Sequence, residues 1–321
     1  MYSEEKIPLL SLRQTSQKTI WAVGGGKGGT GKSFIAASLA THLAFHEKDV
    51  VLIDADLGGP NLHTFLGMND SNLDLGHFFT NKVSKLKETL VSTPFEGLKF
   101  IKGNDKVPFM TNLNYYKKLK FIRHIKAIEA KRVIIDIGTG TDYNCLDFFI
   151  LSNPGILVIN PEPTSIENAY YFLKSCIVRI LKSHIEHYKI QDLIRRIAEQ
   201  MDDHSRSIYS FFNAIISHDK SYAQLLYKAL KKFTPCLIMN KAKDARDYLL
   251  GESMVDIIQK YLVANVKFLG AVPYDEKVHL SLKNLTPFMS SYPDSETASS
   301  IREIAKKLVG YNNSSKLQLQ K

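Results

Sequence analysis

The run Gly24-Gly25-Gly26-Lys27-Gly28-Gly29-Thr30-Gly31-Lys32-Ser33 constrains this chain more than any other stretch. It follows a short apolar segment, Thr19 to Val23, that reads as a strand. It precedes a helical pattern whose apolar residues include Phe34, Leu39 and Leu43. Gly26 to Ser33 fits the phosphate-binding loop G-x-x-x-x-G-K-[ST]. Glycines let consecutive backbone N–H groups turn inward around phosphate oxygens, and a helix opening at Lys32 aims its positive dipole end at the same anions. Lys32 is placed to reach β- and γ-phosphates, and Ser33 to put a hydroxyl on Mg²⁺. The residues expected to contact the nucleotide are Gly26, Lys27, Gly28, Gly29, Thr30, Gly31, Lys32 and Ser33, with the next position, Phe34.

A rival reading uses the same glycines. Gly24, Gly26 and Gly29 also fit G-x-G-x-x-G, with Asp54 near the place of a ribose-binding acid. That fingerprint does not call for Lys-Ser at the helix start, so the triphosphate reading is preferred.

The chain has 321 residues, 44% of them hydrophobic, which suits one large α/β domain or two small ones with a packed core. Cys145, Cys176 and Cys236 are far apart and form no C-x-x-C pair, a pattern that suits a reducing cytosol. No apolar run approaches the roughly 20 residues of a membrane span. The longest, 148 to 159, is cut by Ser152, Asn153, Pro154 and Gly155. Pro8-Leu9-Leu10 is too short for a signal-peptide core. The formal charge is +10, and residues 82 to 132 hold 13 Lys/Arg against 4 Asp/Glu. A positive field from that segment favours an acidic partner, anionic lipid or nucleic acid; the alternative is a set of ordinary solvated helix faces.

Further along, Val50 to Asp54 reads as a doubly covered parallel strand delivering Asp54 and Asp56 to the carboxyl edge of a sheet, where open α/β folds bind ligands. The loop Leu57 to His63 follows. Tyr115, Leu119, Ile122 and Ile125 have helical spacing and are expected in a core. Arg132 to Asp136 is another buried strand, followed by Gly138 and Gly140. Gly155 to Asn160 is a strand that leads through Pro161-Glu162-Pro163 into a helix, with Thr164 or Ser165 as the expected cap. From about Leu181 to Phe233 the pattern is wholly helical, interrupted at Asp202 to Ser207. Its role, packing or partner contact, is open. Pro235 to Asn240 and Val266 to Pro273 are further strands. Ser300 to Val309 is a last amphipathic helix before a polar tail. His42/His46 and His184/His187 have helical spacing but no completing ligands, and are expected to be structural or surface residues.

Lys27-Gly28-Gly29-Thr30-Gly31-Lys32-Ser33 resembles the deviant Walker A of the ParA/MinD ATPases. The resemblance implies that Lys27 crosses a nucleotide-sandwich dimer to the partner's phosphates. Asp54-Ala55-Asp56 and the loop after it resemble switch I of the MinD and FlhG branch. By that likeness Asp54 supports Mg²⁺ through water and Asp56 orients the attacking water. Asp136 with Gly138 and Gly140 resembles a Walker B acid and switch II, and Pro161 to Ser165 the family's "PE.TS" segment. Asn240 takes the place of an adenine-reading Asn, and Val266 to Asp275 that of the strand and turn flanking the base. Leu12-Arg13-Gln14 is no convincing version of the DQAxxLR activator motif of FlhG.

The resemblance, which covers about residues 19 to 310, implies a doubly wound, mostly parallel α/β sheet flanked by helices, of the P-loop NTPase SIMIBI class, with a helical insertion at about 181–233. The expected organisation is a flexible arm over 1–18, an ATPase domain over 19–310 and a disordered tail over 311–321. Lys27, Lys32 and Asp56 are the expected catalytic residues, and ATP and Mg²⁺ the ligands. The implied behaviour is a dimer that forms with ATP and relaxes on hydrolysis, placing or counting a cellular structure together with an unidentified protein partner. A cytoplasmic location, peripheral at the inner membrane face or a pole, follows from that resemblance. The last helix carries Arg302, Lys306 and Lys307 opposite Ile301, Ile304 and Leu308. Covering a sheet is the preferred reading of that apolar side, so anionic membrane contact is expected to be weak. Two alternatives are a ParA-type segregation ATPase binding nucleoid DNA and an Mrp-like iron–sulfur scaffold; the second is disfavoured by the lack of paired cysteines.

Overall fold

A computed structural model describes residues 18–56, 59–68, 73–104, 113, 115–188, 190–199 and 208–318. The strands are β1 (Thr19–Gly25), β2 (Val50–Ala55), β3 (Val91–Ser92), β4 (Leu98–Ile101), β5 (Arg132–Thr139), β6 (Gly155–Ile159), β7 (Cys236–Ala242) and β8 (Lys267–Pro273). They form one sheet in the order β3-β4-β2-β5-β1-β6-β7-β8, parallel except for β3, which runs antiparallel to β4 at the edge. The helices are α1 (Lys32–Glu47), α2 (Leu62–Phe65), α3 (Leu75–Phe79), α4 (Tyr115–Ala127), α5 (Tyr143–Leu151), α6 (Pro163–His187), α7 (Gln191–Glu199), α8 (Ile208–His218), α9 (Lys220–Lys231), α10 (Ala245–Leu262), α11 (Glu276–Lys283), α12 (Phe288–Ser291) and α13 (Glu296–Gln318).

The central strands are apolar along their whole length because helices cover both faces. Alternation along each strand divides the core in two. Trp21, Val23, Leu52, Ile134, Ile156 and Val158 pack with Leu39 and Leu43 of α1 and with Ile301, Ile304 and Leu308 of α13. Val51, Ile53, Val133, Ile135 and Leu157 face the other way, onto Phe149 of α5 and Phe172 and Ile177 of α6. The apolar side of the last helix therefore covers the sheet, as preferred from the sequence. The helix itself runs on to Gln318, past the end expected at Val309.

The helical insertion begins as the end of α6, a single helix of 25 residues, and continues through α7, α8 and α9. Ile197, Phe212, Ile215, Leu226 and Leu230 join the α6 side of the core, so the inner face of the insertion is packing. Asp202 to Ser207 lie outside the described residues. Tyr115 does not join the core; it is exposed, and Lys118, Phe121, Ile122 and Ile125 form the buried stripe of α4. Neither Thr164 nor Ser165 caps α6: Pro163 occupies its first turn, and Ser165 Oγ instead accepts the Asn160 N–H at 2.9 Å.

The basic segment spends part of its charge internally. Arg132 forks onto Glu47 at 2.7 and 2.8 Å and stacks over Trp21 at 4.4 Å, while Lys118 pairs with Asp147 in the core. These cations do not contribute to a solvent-facing field.

Candidate nucleotide-binding site

Strand order sets the site. β1 lies between β5 and β6 at the middle of the sheet, and the loop that leaves it turns directly into α1. Gly31 caps α1 with φ 89°, a left-handed conformation open to glycine, and a Cβ there would lie 2.2 Å from Asn240 Nδ2. The stem of Lys32 folds back over Gly25: a Cβ on that glycine would sit 3.3 Å from Lys32 Cδ and 3.0 Å from the Val158 carbonyl. Lys32 is buried, and desolvation lowers its pKa against the pull of Asp136 and Asp56.

Register places the acids. Asp54 and Asp136 are paired neighbours on β2 and β5, and both point to the α1 face by the same alternation that buries Leu52 and Ile134 there. Asp54 is fully buried; its Oδ1 accepts the Asp56 N–H at 3.2 Å and its Oδ2 the Leu62 N–H at 3.0 Å. It thus fastens both ends of the loop between them, of which Leu57 and Gly58 lie outside the described residues. Burial, then the neighbouring Asp136, push its pKa up to about 8. Burial likewise raises Asp136 to about 7, opposed by a hydrogen bond from Ser33 and by Lys32. Asp56 lies against the end of β5, where a Cβ on Gly138 would meet its Oδ1 at 3.0 Å.

A cleft of about 630 Å³ collects Lys32, Ser33, Asp56, Gly138, Thr139 and Asn144. α5 starts at this cleft, with Asp142 accepting the N–H groups of Asn144 and Cys145. A second cavity of about 320 Å³ adjoins it at Gly31 and Phe34, bounded by Phe65, Asn240, Lys241 and Tyr274. Pro273 and Asp275 also line it. Phe34 packs edge-on against Phe288, 5.2 Å between centroids, and gives this cavity an aromatic side. The first cavity brings Lys32 and Ser33 to a place suited to phosphates, and the second sets the Phe34 and Phe65 rings beside Asn240, a setting suited to a base.

The site also fits a divalent cation. Asp136 Oδ1 is buried with no hydrogen-bond partner, beside the Ser33 hydroxyl. Carboxylate and hydroxyl oxygens are the donors Mg²⁺ uses alongside phosphates. Thr30 Oγ1 and Asn160 Oδ1 are orphaned in the same region, at the loop and the end of β6.

Two expected site residues have placements the sequence did not foretell. Lys27 is turned away from the cleft; its Nζ lies 2.9 Å from Glu162 Oε2 and 2.8 Å from Thr164 Oγ1, at the start of α6. Asn240 Nδ2 donates to the Thr30 carbonyl at 2.7 Å, which commits its amide nitrogen to the loop. Lys241 was not singled out from the sequence, although its Nζ donates to the Gly29 carbonyl at 2.8 Å. The adjoining Asn-Lys pair at a strand end was the signal available.

The fold and cleft define a nucleoside-triphosphate-binding α/β protein of the phosphate-loop class. The chain belongs to the CobQ/CobB/MinD/ParA nucleotide-binding-domain family, whose family model matches residues 21–288, and lies near the MinD/FlhG branch. It is 26% identical over 305 residues to an uncharacterised ATP-binding protein of Methanocaldococcus jannaschii, covering 94% of this chain and 91% of that one. It is 23% identical over 289 residues to the antiactivator FleN of Pseudomonas aeruginosa, covering 89% and 85%. Among solved structures, the septum site-determining protein MinD of Pyrococcus horikoshii, complexed with Mg-ADP, superimposes with a TM-score of 0.59 at 18% identity, covering 91% and 96% of the two chains. A ParA-family ATPase of Chlorobium tepidum gives 0.61 at 18% identity, covering 90% and 98%.

Proposed function

We propose that this chain binds Mg-ATP, hydrolyses it to ADP and phosphate, and uses the cycle as a dimeric switch of the MinD/FlhG type. The observation that carries the reading is the meeting of Lys32, Ser33–Asp136 and Asp56 at one cleft below a glycine cradle. The inward N–H groups and Lys32 hold the phosphates. Ser33 and Asp136 hold the cation, which supplies neutralisation of charge on the phosphates when bound. Asp56, which lines the same cleft against Gly138, accepts a hydrogen bond from the attacking water and so aims it. Glycines at 138 and 140 let that strand end answer the loss of phosphate. ATP turnover by the purified chain, with and without Mg²⁺, tests this reading; absence of Mg-dependent turnover in both monomer and dimer would overturn it.

FleN's role as an antiactivator supports a regulatory function over a partition one. The internal pairing of Arg132 and Lys118 also weakens the case for a DNA-binding field from the 82–132 segment. An iron–sulfur scaffold needs accessible thiols, and Cys145, Cys176 and Cys236 are all buried. We place the protein in the cytoplasm, peripheral at the inner membrane face or a pole, with weak contact to anionic lipid. Among the described residues no helix is long and apolar enough to cross a membrane. Full-length tagged protein, imaged beside a Lys32→Ala version, tests that placement.

A further inference from the structure

The phosphate loop is held from outside by an unusual strand end. A cradle that turns its N–H groups inward leaves carbonyls turned outward, and outward carbonyls need partners. The Thr30 carbonyl accepts from Asn240 Nδ2 at 2.7 Å and the Gly29 carbonyl from Lys241 Nζ at 2.8 Å. These donors are consecutive residues of β7. On a regular strand they would point to opposite faces. Here the β7–β8 pairing shifts register between Asn240 and Ala242, and Lys241 has φ 58°, a left-handed conformation that costs a non-glycine residue. The bulge brings both side chains to adjoining carbonyls of the loop. Such strain, held in place beside a ligand cavity, points to function.

We infer that Lys241 is a positioning residue for nucleotide: its bulged, left-handed backbone exists to clamp the Gly29 carbonyl, and with Asn240 it presets the phosphate cradle from the base side. The clamp joins the two cavities mechanically, since Asn240 and Lys241 line the second and grip the loop that lines the first. Nucleotide that finds the cradle formed does not have to order it, so the clamp contributes to affinity more than to the chemical step. The inference rests on the nucleotide-binding reading proposed above.

The full-length chain carrying Lys241→Gly, Lys241→Ala or Lys241→Arg tests it, with Mg-ATP and Mg-ADP affinity by calorimetry, KM and kcat by phosphate release, and apo melting by calorimetry. A lost charge-assisted hydrogen bond at an exposed position should weaken nucleotide binding about 5- to 20-fold in the Gly and Ala variants. The rise in KM should exceed the fall in kcat, and Arg, which can still donate, should restore most of the affinity. Glycine relieves the left-handed backbone, so its apo melting should equal or exceed that of the wild type. A merely structural lysine would instead lower melting in the Gly and Ala variants in step with affinity, and that result would overturn the clamp. Wild-type affinity in the Gly variant, or no rescue by Arg, would overturn it as well. If the wild type itself binds neither Mg-ATP nor Mg-ADP, the nucleotide reading fails rather than the clamp alone.

Discussion

Lys27 is tied to its own chain: its ammonium sits 2.9 Å from the Glu162 carboxylate and shares Thr164, at the first turn of α6. Glu162 is solvent-exposed, and this pair lowers its pKa below the usual carboxylate value. An exposed pair of this kind is weak and readily exchanged. A second copy presenting phosphates would compete with Glu162 for the same ammonium. The trans role that the resemblance implies for Lys27 therefore requires the Lys27–Glu162 contact to open. Lys27→Ala should keep monomeric nucleotide binding and lose the dimer formed with a non-hydrolysable ATP analogue. Glu162→Gln should favour that dimer slightly. Light scattering checks both, and an unaltered dimer in Lys27→Ala would return Lys27 to a purely intrachain contact.

Binding and chemistry separate at the cleft. Lys32 is buried over Gly25 and faces the phosphate position, so Lys32→Ala should weaken ATP binding by about 100-fold or more. Asp56 lies against Gly138, at the end of β5 rather than in the glycine loop. Asp56→Ala should still bind Mg-ATP but lower kcat by about 10²- to 10⁴-fold, the usual worth of a positioned base. Single-turnover kinetics beside calorimetry reads the two effects apart. Near-normal turnover would assign water positioning to another residue.

The phosphate loop, the parallel sheet and the approach of Asp54, Asp56 and Asp136 to one edge were legible because each rests on a local pattern: a glycine spacing, an apolar run, an acid at its end. The register that sets Asp54 beside Asp136 was not, since pairing between strands some eighty residues apart leaves no mark on either. Tyr115 fitted a helical stripe yet faces solvent, because a stripe of four residues does not fix which edge of the helix the sheet covers. Thr164 looked like a cap and instead meets Lys27. The bulge at Lys241 is a tertiary event; nothing in Asn-Lys-Ala predicts a left-handed lysine.

Proton linkage follows from the buried acids. Asp54 and Asp136 are raised to about 8 and about 7, so in the apo chain both hold protons well above the ordinary carboxyl range. Unfolded, they ionise near pH 4. Between those values the folded chain binds more protons than the unfolded one, so their contribution to stability is greatest at the acid end and is lost as pH rises to about 7–8. A cation beside Asp136 favours its anion. Mg-ADP binding should therefore release protons at about pH 6.5, and the release should fade above about pH 9. Calorimetry in buffers of different ionisation enthalpy measures it. Asp136→Asn should release less, and equal release would assign the protons elsewhere.

Two glycines of the loop serve different purposes and should fail differently. A Cβ on Gly26 would fall 2.2 Å from the Asn168 carbonyl oxygen, so the loop touches the backbone of α6 there and neither partner can yield cheaply. A Cβ on Gly28 would meet nothing within 4 Å, in the open space over the cradle. Gly26→Ala should therefore lower apo stability by about 1–3 kcal/mol, as overpacking does, and displace the loop from α6. Gly28→Ala should leave apo melting within error and still weaken nucleotide binding, because the methyl group enters space that phosphate needs. Melting curves with and without Mg-ADP separate the cases. A Gly28→Ala chain that binds Mg-ADP as the wild type does would move the phosphates away from Gly28, and a Gly26→Ala chain of unchanged stability would show that the loop can lift off α6 freely.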